Sequence, residues 1–593
     1  MSKTSEVLKG GAFLIDALSP EQLFTPEDFS EEHKMIAKTT EDYIKKEVLP
    51  HVEELENKDL ELTKKLLKKA GDLGLLGGDV PEAYGGLGLD KISTSLITEK
   101  FSLANSFSLS YGAHVGIGSL PIVLFGTEEQ KQKYLPDLAN GNKFAAYALT
   151  EPGSGSDARG AKTTARLNDE GTHYILNGEK QWITNSGFAD VFVVYAKIDG
   201  KDFSAFIVEK DYPGVSTGAE EHKMGIKASS TRTLILEDVP VPKENLLGEP
   251  GRGHIIAFNI LNIGRYKLAV GCIGACKRAL ELAVRYANER EQFKQPISNF
   301  TLIQNKLANM AVKTYATESS VYRTVGLFRD RLDQLSDEEA NDGKKMAESI
   351  AEYALECSLN KVFASEALDY AVDEAVQIHG GYGYMQEYEV ERMYRDSRIN
   401  RIFEGTNEIN RLIVPSTLLK KAMKGELPLF EKAQTLQEEL MMLMPEEPGD
   451  EPLEKEKYLL NHAKKIFLMV AGLGAQKFGK KLEGEQEILA NVADIVSNIY
   501  AMESVIVRTE KSIRNTGVDQ SKQKLLMTEV FCQEAFDDIE KLAKESLLMV
   551  EEGDKLRMML SVLRKLTRYT PSNLVEKKRS IAKTLIKEEQ FTV

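Results

Sequence analysis

Cysteine is scarce in this chain: four residues, Cys272, Cys276, Cys357 and Cys532, among 593. That density builds no disulfide scaffold and lacks the paired spacing of a zinc ribbon, so the four are read as reduced core residues. The eight histidines are scattered without an HExxH pattern, and no metal site is assigned. Positive charge is short as well. Asp and Glu exceed Lys and Arg by 91 − 76 = 15, a field that opposes binding along a phosphate backbone and excludes nucleic acid as an expected partner. Apolar runs such as Ile466–Ala475 fall below the roughly 20 residues of a membrane-spanning helix. Met1 to Gly11 carry charge but no apolar core, unlike a secretory or transit signal, so a cytoplasmic protein is expected. Nucleotide fingerprints are missing too: Gly472-Leu473-Gly474 lacks the third glycine and a preceding strand, and no segment reads GxxxxGK[ST].

What the chain does have is length and a globular composition, 42% hydrophobic and 28% charged, enough for roughly three to five domain-sized units. An N-terminal arm, 1–29, precedes a helical domain, 30–143, opened by Ser30 as N-cap with Glu31 and Glu32 behind it. Over 144–252 the period becomes that of strands. Asn177-Gly178 and Asp199-Gly200 each sit between β-rich runs and predict two tight hairpins, giving an antiparallel β domain inserted between helical ones. A second helical domain covers 253–425, with long helices expected over 266–289 and 345–376. Residues 426–454, which include Pro445-Glu446-Glu447-Pro448-Gly449-Asp450-Glu451-Pro452, predict an acidic linker. A helical bundle fills 455–593. Its segment Asn461–Lys481 mixes lysines with apolar residues as an interfacial helix does, which would give peripheral membrane contact; a core helix of the bundle is the reading preferred.

Five stretches could carry chemistry. Tyr147-Ala148-Leu149-Thr150-Glu151-Pro152-Gly153-Ser154-Gly155-Ser156-Asp157 offers backbone N–H groups and hydroxyls suited to a ring edge or phosphates, although an ordinary turn has the same composition. Gln181-Trp182-Ile183-Thr184-Asn185 holds the only tryptophan. Strand alternation would place Trp182 and Thr184 on one face, as a flat aromatic surface beside a hydroxyl, or Trp182 simply in the core. Arg290-Glu291-Gln292-Phe293 supplies a guanidinium fork for a pyrophosphate. Gln377-Ile378-His379-Gly380-Gly381-Tyr382-Gly383 has a glycine pair that admits a close ligand. Helix ends commonly carry both features. In Arg401-Ile402-Phe403-Glu404-Gly405-Thr406-Asn407-Glu408, apolar residues lead into Glu404. Desolvation there would raise its pKa above about 4.3 and suit a general base; a solvated carboxylate near a helix N-terminus is the alternative.

In this order the five stretches resemble the acyl-CoA dehydrogenase family, over about Ser30 to Gly425. The helical extension resembles the very-long-chain branch, as do His222-Lys223-Met224-Gly225-Ile226-Lys227-Ala228-Ser229 and Asn299-Phe300-Thr301-Leu302-Ile303-Gln304. The resemblance implies a mainly α fold: a helical domain, a β barrel or sandwich and a four-helix bundle, plus a C-terminal helical bundle. It also implies FAD. Tyr147, Leu149 and Thr150 would line the ring's polar edge with Gly155 in the same loop, Ser156 would touch flavin or the CoA portion, Trp182 would cover one ring face, and Thr184 would bond near N5. Arg290, Gln292, Phe293, Gln377 and Gly381 would reach the pyrophosphate and adenosine across the interface of a homodimer, with Thr406 and Glu408 closing the site. Many members carry Gln where this chain has Glu408.

Glu404 would correspond to the base that removes the α-proton of an acyl-CoA while a β-hydride passes to flavin. The thioester oxygen would be held by the Glu404 N–H and a ribityl hydroxyl, with Asn262, Arg265 and Gly405 as further substrate contacts. Some relatives place the base on a preceding helix just before an arginine; here that position is Gly264, before Arg265. The resemblance implies electron-transferring flavoprotein as acceptor and a place in fatty acid β-oxidation. Small Ser102, Ala104 and Ser106 within Glu99–Tyr111 suggest medium to long acyl chains. An acyl-CoA oxidase and a noncatalytic scaffold of the same fold are the competing readings.

Overall fold

A computed structural model describes residues 7–441, 448–449 and 451–593, so that Pro445, Glu446, Glu447 and Asp450 of the expected linker lie outside the described residues. The first helix, Glu31–Tyr43, starts where the sequence places it: Ser30 Oγ accepts the His33 N–H at 3.2 Å and His33 Nδ1 accepts the Ser30 N–H at 3.1 Å. Helices Leu60–Asp72, Lys91–Phe101 and Glu128–Ala139 follow. Between the last two, Phe107–Phe125 is helical and, contrary to the expectation for apolar runs, long and apolar enough by composition to cross a membrane; 78% of it is buried inside the fold. His114 in this stretch joins two domains. Its Nδ1 accepts the Ala145 N–H at 3.0 Å, leaving Nε2 to donate to the Leu138 carbonyl at 2.9 Å.

Eight strands make the central sheet: β1 Ala145–Ala148, β2 Thr164–Leu167, β3 His173–Thr184, β4 Val191–Ile198, β5 Asp202–Glu209, β6 Val215–Thr217, β7 Thr231–Pro242 and β8 Leu246–Leu247. Their order is β6-β7-β3-β2-β4-β5-β8, with β1 also on β4. The sheet is mixed rather than wholly antiparallel, because β1 and β2 both run parallel to β4. β4 is buried along nearly its whole length, which is why it reads as a continuous apolar run rather than an alternating one.

Of the two expected hairpins, Asp199-Gly200 joins β4 to β5 with φ of 50° and 71°. Asn177-Gly178 does not turn. It lies inside β3 at a register shift, where Asn177 Nδ2 donates to Asp238 Oδ1 of β7 at 3.0 Å and Asn177 Oδ1 accepts the Asp238 N–H at 2.9 Å. Gly178 serves close approach instead: a Cβ there would lie 2.5 Å from Thr163 Oγ1.

Helices Gly253–Glu289, Thr301–Leu332, Ala354–His379 and Asn407–Met423 form the second helical domain. The single helix expected over 345–376 is two, Gly343–Ala351 and Ala354–His379, separated at Glu352-Tyr353. The expected linker differs as well. Helix Leu429–Met441 occupies much of it, since Leu429, Leu436 and Leu440 recur at helical spacing and the helix packs against Glu454–Phe478. That neighbour, carrying the lysine-rich segment, buries Leu459, Ala463, Ile466, Phe467 and Val470 in the bundle with Gln486–Thr516 and Lys522–Val550. Buried ion pairs attach the bundle to the second domain, Arg323 to Glu503 and Arg508 to Glu318, both at 2.7 Å. The N-terminal arm crosses the seam, with Glu27 on Arg508 at 2.9 Å and Asp28 on Lys511 at 2.6 Å.

Candidate functional site

Glu404 sits on a turn between Arg398–Arg401 and the Asn407–Met423 helix, with φ of 57° at Glu404 and 79° at Gly405. A left-handed glutamate is strained and persists only where the surroundings over-determine it. They do so through the carbonyls. Arg265 Nε donates to the Glu404 carbonyl at 3.2 Å, Lys361 Nζ to the Gly405 carbonyl at 2.8 Å, and Asn410 Nδ2 to the carbonyls of Gly405 at 2.8 Å and Thr406 at 3.0 Å. With its oxygens drawn inward, the turn leaves the Glu404 N–H without a hydrogen bond among the described residues.

The Glu404 carboxylate lies on Gly264 of the Gly253–Glu289 helix. A Cβ at that glycine would be 2.4 Å from Oε2 and 2.6 Å from Cδ, so a side chain at 264 and this placement of the glutamate exclude each other. Oε2 has no hydrogen-bond partner among the described residues. Glu404 is part-buried and lines a cavity. Burial therefore pushes the carboxyl up to about 7, against the pull of Arg265 and Lys361. Burial likewise brings Lys361 down to about 8.

The cavity, of about 220 Å³, also takes in Thr184 and Phe403, the residue before Glu404. One wall is a single face of the Gly253–Glu289 helix: Gly264, Leu268, Gly271, Cys272 and Ala275 recur every one to four residues along it. The facing wall includes Thr98, Ser102, Leu109, Gly112 and Gly116. It closes where the helices touch, since a Cβ at Gly274 would fall 2.2 Å from Ser102 Oγ and 2.3 Å from the Glu99 carbonyl. Behind that contact Glu99 is held by Lys277 at 2.8 Å and Tyr322 at 2.5 Å.

The remaining expected residues fall into two further groups. Tyr147, Leu149 and Thr150 end β1 and run into an exposed loop with Gly155 and Ser156. Glu151 pins that loop, accepting the N–H groups of Lys162 and Thr163 and a bond from fully buried Lys180 Nζ at 2.7 Å; Lys180 also donates to the Leu149 carbonyl at 3.2 Å. Trp182 and Thr184 do not alternate regularly. A register shift between Lys180 and Ile183 gives Trp182 a φ of 58° and leaves it 60% exposed, while Thr184 opens on the cavity. Arg290, Gln292, Phe293, Gln377 and Gly381 lie on the surface and none lines the cavity. Within this group the Arg290 guanidinium stands over the Tyr382 ring at 5.6 Å.

The last of the expected residues take part in the turn and its flanking helices. Asn262 and Arg265 are buried and bonded to each other at 2.9 Å, and Arg265 also holds the Glu404 turn by its carbonyl. Thr406 spends its hydroxyl as N-cap, accepting the Ile409 N–H at 3.2 Å. Glu408 is exposed in the first helical turn, where backbone N–H groups lower its pKa. Sequence reasoning passed over Lys361, Asn410, Glu151 and Lys180. The available signal was a lone lysine inside an apolar helical run, as at Lys361 among Leu355, Leu359 and Val362.

The unpartnered features fit a flat ring joined to a pyrophosphate. Trp182 is a bare aromatic face, and an added Cβ at Gly153, Gly155, Gly380 or Gly381 would meet nothing within 4 Å. Comparison with known proteins agrees. Residues 30–142 match the acyl-CoA dehydrogenase N-terminal domain, 146–239 the middle domain, and 251–419 and 462–565 two acyl-CoA dehydrogenase C-terminal domains. A probable acyl-CoA dehydrogenase of Bacillus subtilis (strain 168) is 71% identical over 591 residues, covering all of both chains. The very long-chain specific acyl-CoA dehydrogenase, mitochondrial, of Rattus norvegicus is 36% identical over 498 residues, 78% of this chain and 72% of that one. A crystal structure of an acyl-CoA dehydrogenase complexed with FAD from Bacillus anthracis superposes with a TM-score of 0.98 at 72% identity, covering 99% of this chain and 100% of that one.

Proposed function

The chain belongs to the acyl-CoA dehydrogenase family, and on that premise we propose that it converts a medium- to long-chain acyl-CoA to the trans-2-enoyl-CoA, with FAD as cofactor and Glu404 as base. The observation that carries the reading is the Glu404 carboxylate: unpartnered, facing the cavity, and pushed by burial to about 7. A base poised near the working pH combines a populated carboxylate with enough basicity to take a carbon-bound proton. Bound FAD supplies the two-electron acceptor for the hydride that leaves the β-carbon. Glu404 takes the α-proton, and its free backbone N–H is placed to stabilise negative charge on the thioester oxygen. Trp182, Thr184 and the Glu151-pinned loop hold the ring, Arg290 and the Gly380-Gly381 pair its pyrophosphate.

Chain length follows from the wall. From Gly264 to Gly274 is ten residues, about 15 Å at 1.5 Å each. A zigzag of 1.5 Å carbon–carbon bonds advances roughly 1.25 Å per carbon, so about a dozen carbons fit before the helices meet at Gly274. The Arg290 group lies away from the cavity with Phe293 87% and Tyr384 82% exposed, which supports a second copy of the chain completing each cofactor site as a homodimer. Electron-transferring flavoprotein is the assigned acceptor within fatty acid β-oxidation; rapid turnover in air without that carrier would favour the oxidase reading instead.

Anaerobic titration of the yellow protein with saturated acyl-CoAs of increasing length tests the whole reading: flavin bleaching is expected, strongest near the length the wall admits. Glu404→Gln keeps FAD and ligand binding but bleaches about 10²- to 10⁴-fold more slowly. Bleaching at the wild-type rate removes Glu404 from the mechanism.

A further inference from the structure

The same cavity contains a second carboxylate, Asp396, near the end of the Glu389–Ser397 helix. Its Oδ1 accepts the Ile226 N–H. Beside it Arg395 Nη1 donates to the Met224 carbonyl at 3.1 Å, and a Cβ at Gly225 would lie 2.5 Å from the Arg395 carbonyl group, so the loop Met224–Ile226 of the β domain is docked hard on this helix. Ile226 lines the cavity as a result. Among the described residues Asp396 Oδ2 has no hydrogen-bond partner.

The charged groups around it do not fill that vacancy. Arg395 is spent on Glu391, at 2.6 and 3.0 Å, and Glu56 repels. Burial pushes the Asp396 carboxyl up to about 7, with the Ile226 N–H, Arg395 and Arg392 opposing. A buried acceptor left without a donor is costly and uncommon, and a saturated hydrocarbon tail offers it none.

We propose that Asp396 is a ligand-binding residue of the cavity, its free Oδ2 taking a hydrogen bond from an N–H or O–H donor carried by the bound acyl thioester. Two sources have that chemistry: the amide nearest the sulfur, present in every CoA ester, and a hydroxyl on the acyl chain. The proposal rests on the acyl-CoA reading of the site. It assigns Asp396 a role in recognition that is separate from proton removal by Glu404.

Asp396→Asn is the informative change, since its Oδ1 still accepts the Ile226 N–H while an NH₂ donor replaces the free acceptor. The FAD-loaded full chain is titrated with dodecanoyl-CoA and with 12-hydroxydodecanoyl-CoA, following the flavin spectrum. Loss of a bond to a buried carboxylate weakens binding by about tenfold or more. An equal loss for both ligands supports the amide; a loss confined to the hydroxylated one supports the chain hydroxyl. Unchanged affinity for both, at unchanged FAD content, overturns the proposal and leaves Asp396 a latch for Ile226.

Should the variant not fold, the wild type decides. The octanoyl thioester of N-acetylcysteamine is compared with that of butanethiol, which lacks the amide, and 8-hydroxyoctanoyl with octanoyl on the first carrier. A tenfold preference in either pair supports the proposal; none in both overturns it. A wild type whose flavin responds to no acyl-CoA refutes the functional reading along with it, whereas a responsive wild type with an indifferent Asp396→Asn refutes this inference alone.

Discussion

Replacing Gly264 with alanine tests the geometry of the base by a single methyl group. The added Cβ would stand 2.4 Å from Glu404 Oε2, 2.6 Å from Cδ and 3.0 Å from Oε1. Ordinary contact for such atoms is roughly 3.5 Å, so the carboxylate must withdraw by about 1 Å. The clash is with the end of a side chain, and the helix itself need not shift; overpacking of this kind costs at most about 1–3 kcal/mol. A base displaced by about 1 Å from the reacting carbon, however, loses on the order of 10²-fold in rate. Gly264→Ala is therefore expected to keep its FAD, its melting temperature within a few degrees and its affinity for acyl-CoA, while flavin reduction in anaerobic rapid mixing slows about 10²-fold. Reduction within twofold of wild type, with FAD retained, would refute the claim that this carboxylate works from its seat on the glycine.

The pH dependence follows from the same burial. Only the carboxylate form of Glu404 can take a proton, so kcat/KM should be level above about pH 7 and fall as pH drops through 7, the value to which burial pushes this group; a limb near the solvated value of about 4.3 would show that the site is wetter than the structure has it. Arg290→Ala, at the exposed cluster with Tyr382, should lower the FAD content of the purified protein without altering the helical signal in circular dichroism. Full FAD occupancy would disprove its cofactor role.

Much of the architecture was legible because periodicity reports burial directly. The capping pair at Ser30, the apolar stripes of the bundle helices and the Asp199-Gly200 turn depend on neighbours in sequence. Asn177-Gly178 misled because the same two residues serve a turn or a bulge, and the choice is made by Thr163 and Asp238, both more than ten residues away. The helix Leu429–Met441 was hidden for a related reason: the prolines and acids that follow it colour the composition of the whole window, although its own leucines keep helical spacing.

The functional site shows where sequence reasoning stops. Glu404 could be nominated from its apolar neighbours, yet the setting proposed to make it a base is supplied by three donors drawn from three helices, Arg265, Lys361 and Asn410. None of them touches the carboxylate oxygens with a hydrogen bond; each takes a main-chain carbonyl of the turn. That division has a consequence for the chemistry. Positive charge close enough to bond the carboxylate would stabilise its ionised form and drag its pKa down, whereas the same cations bound to carbonyls hold the turn in its strained conformation and oppose the effect of burial only in part. The arginine that follows Gly264 in sequence and the glycine itself are thus two halves of one arrangement: the glycine makes room for the carboxylate, and the arginine keeps the backbone from following it away.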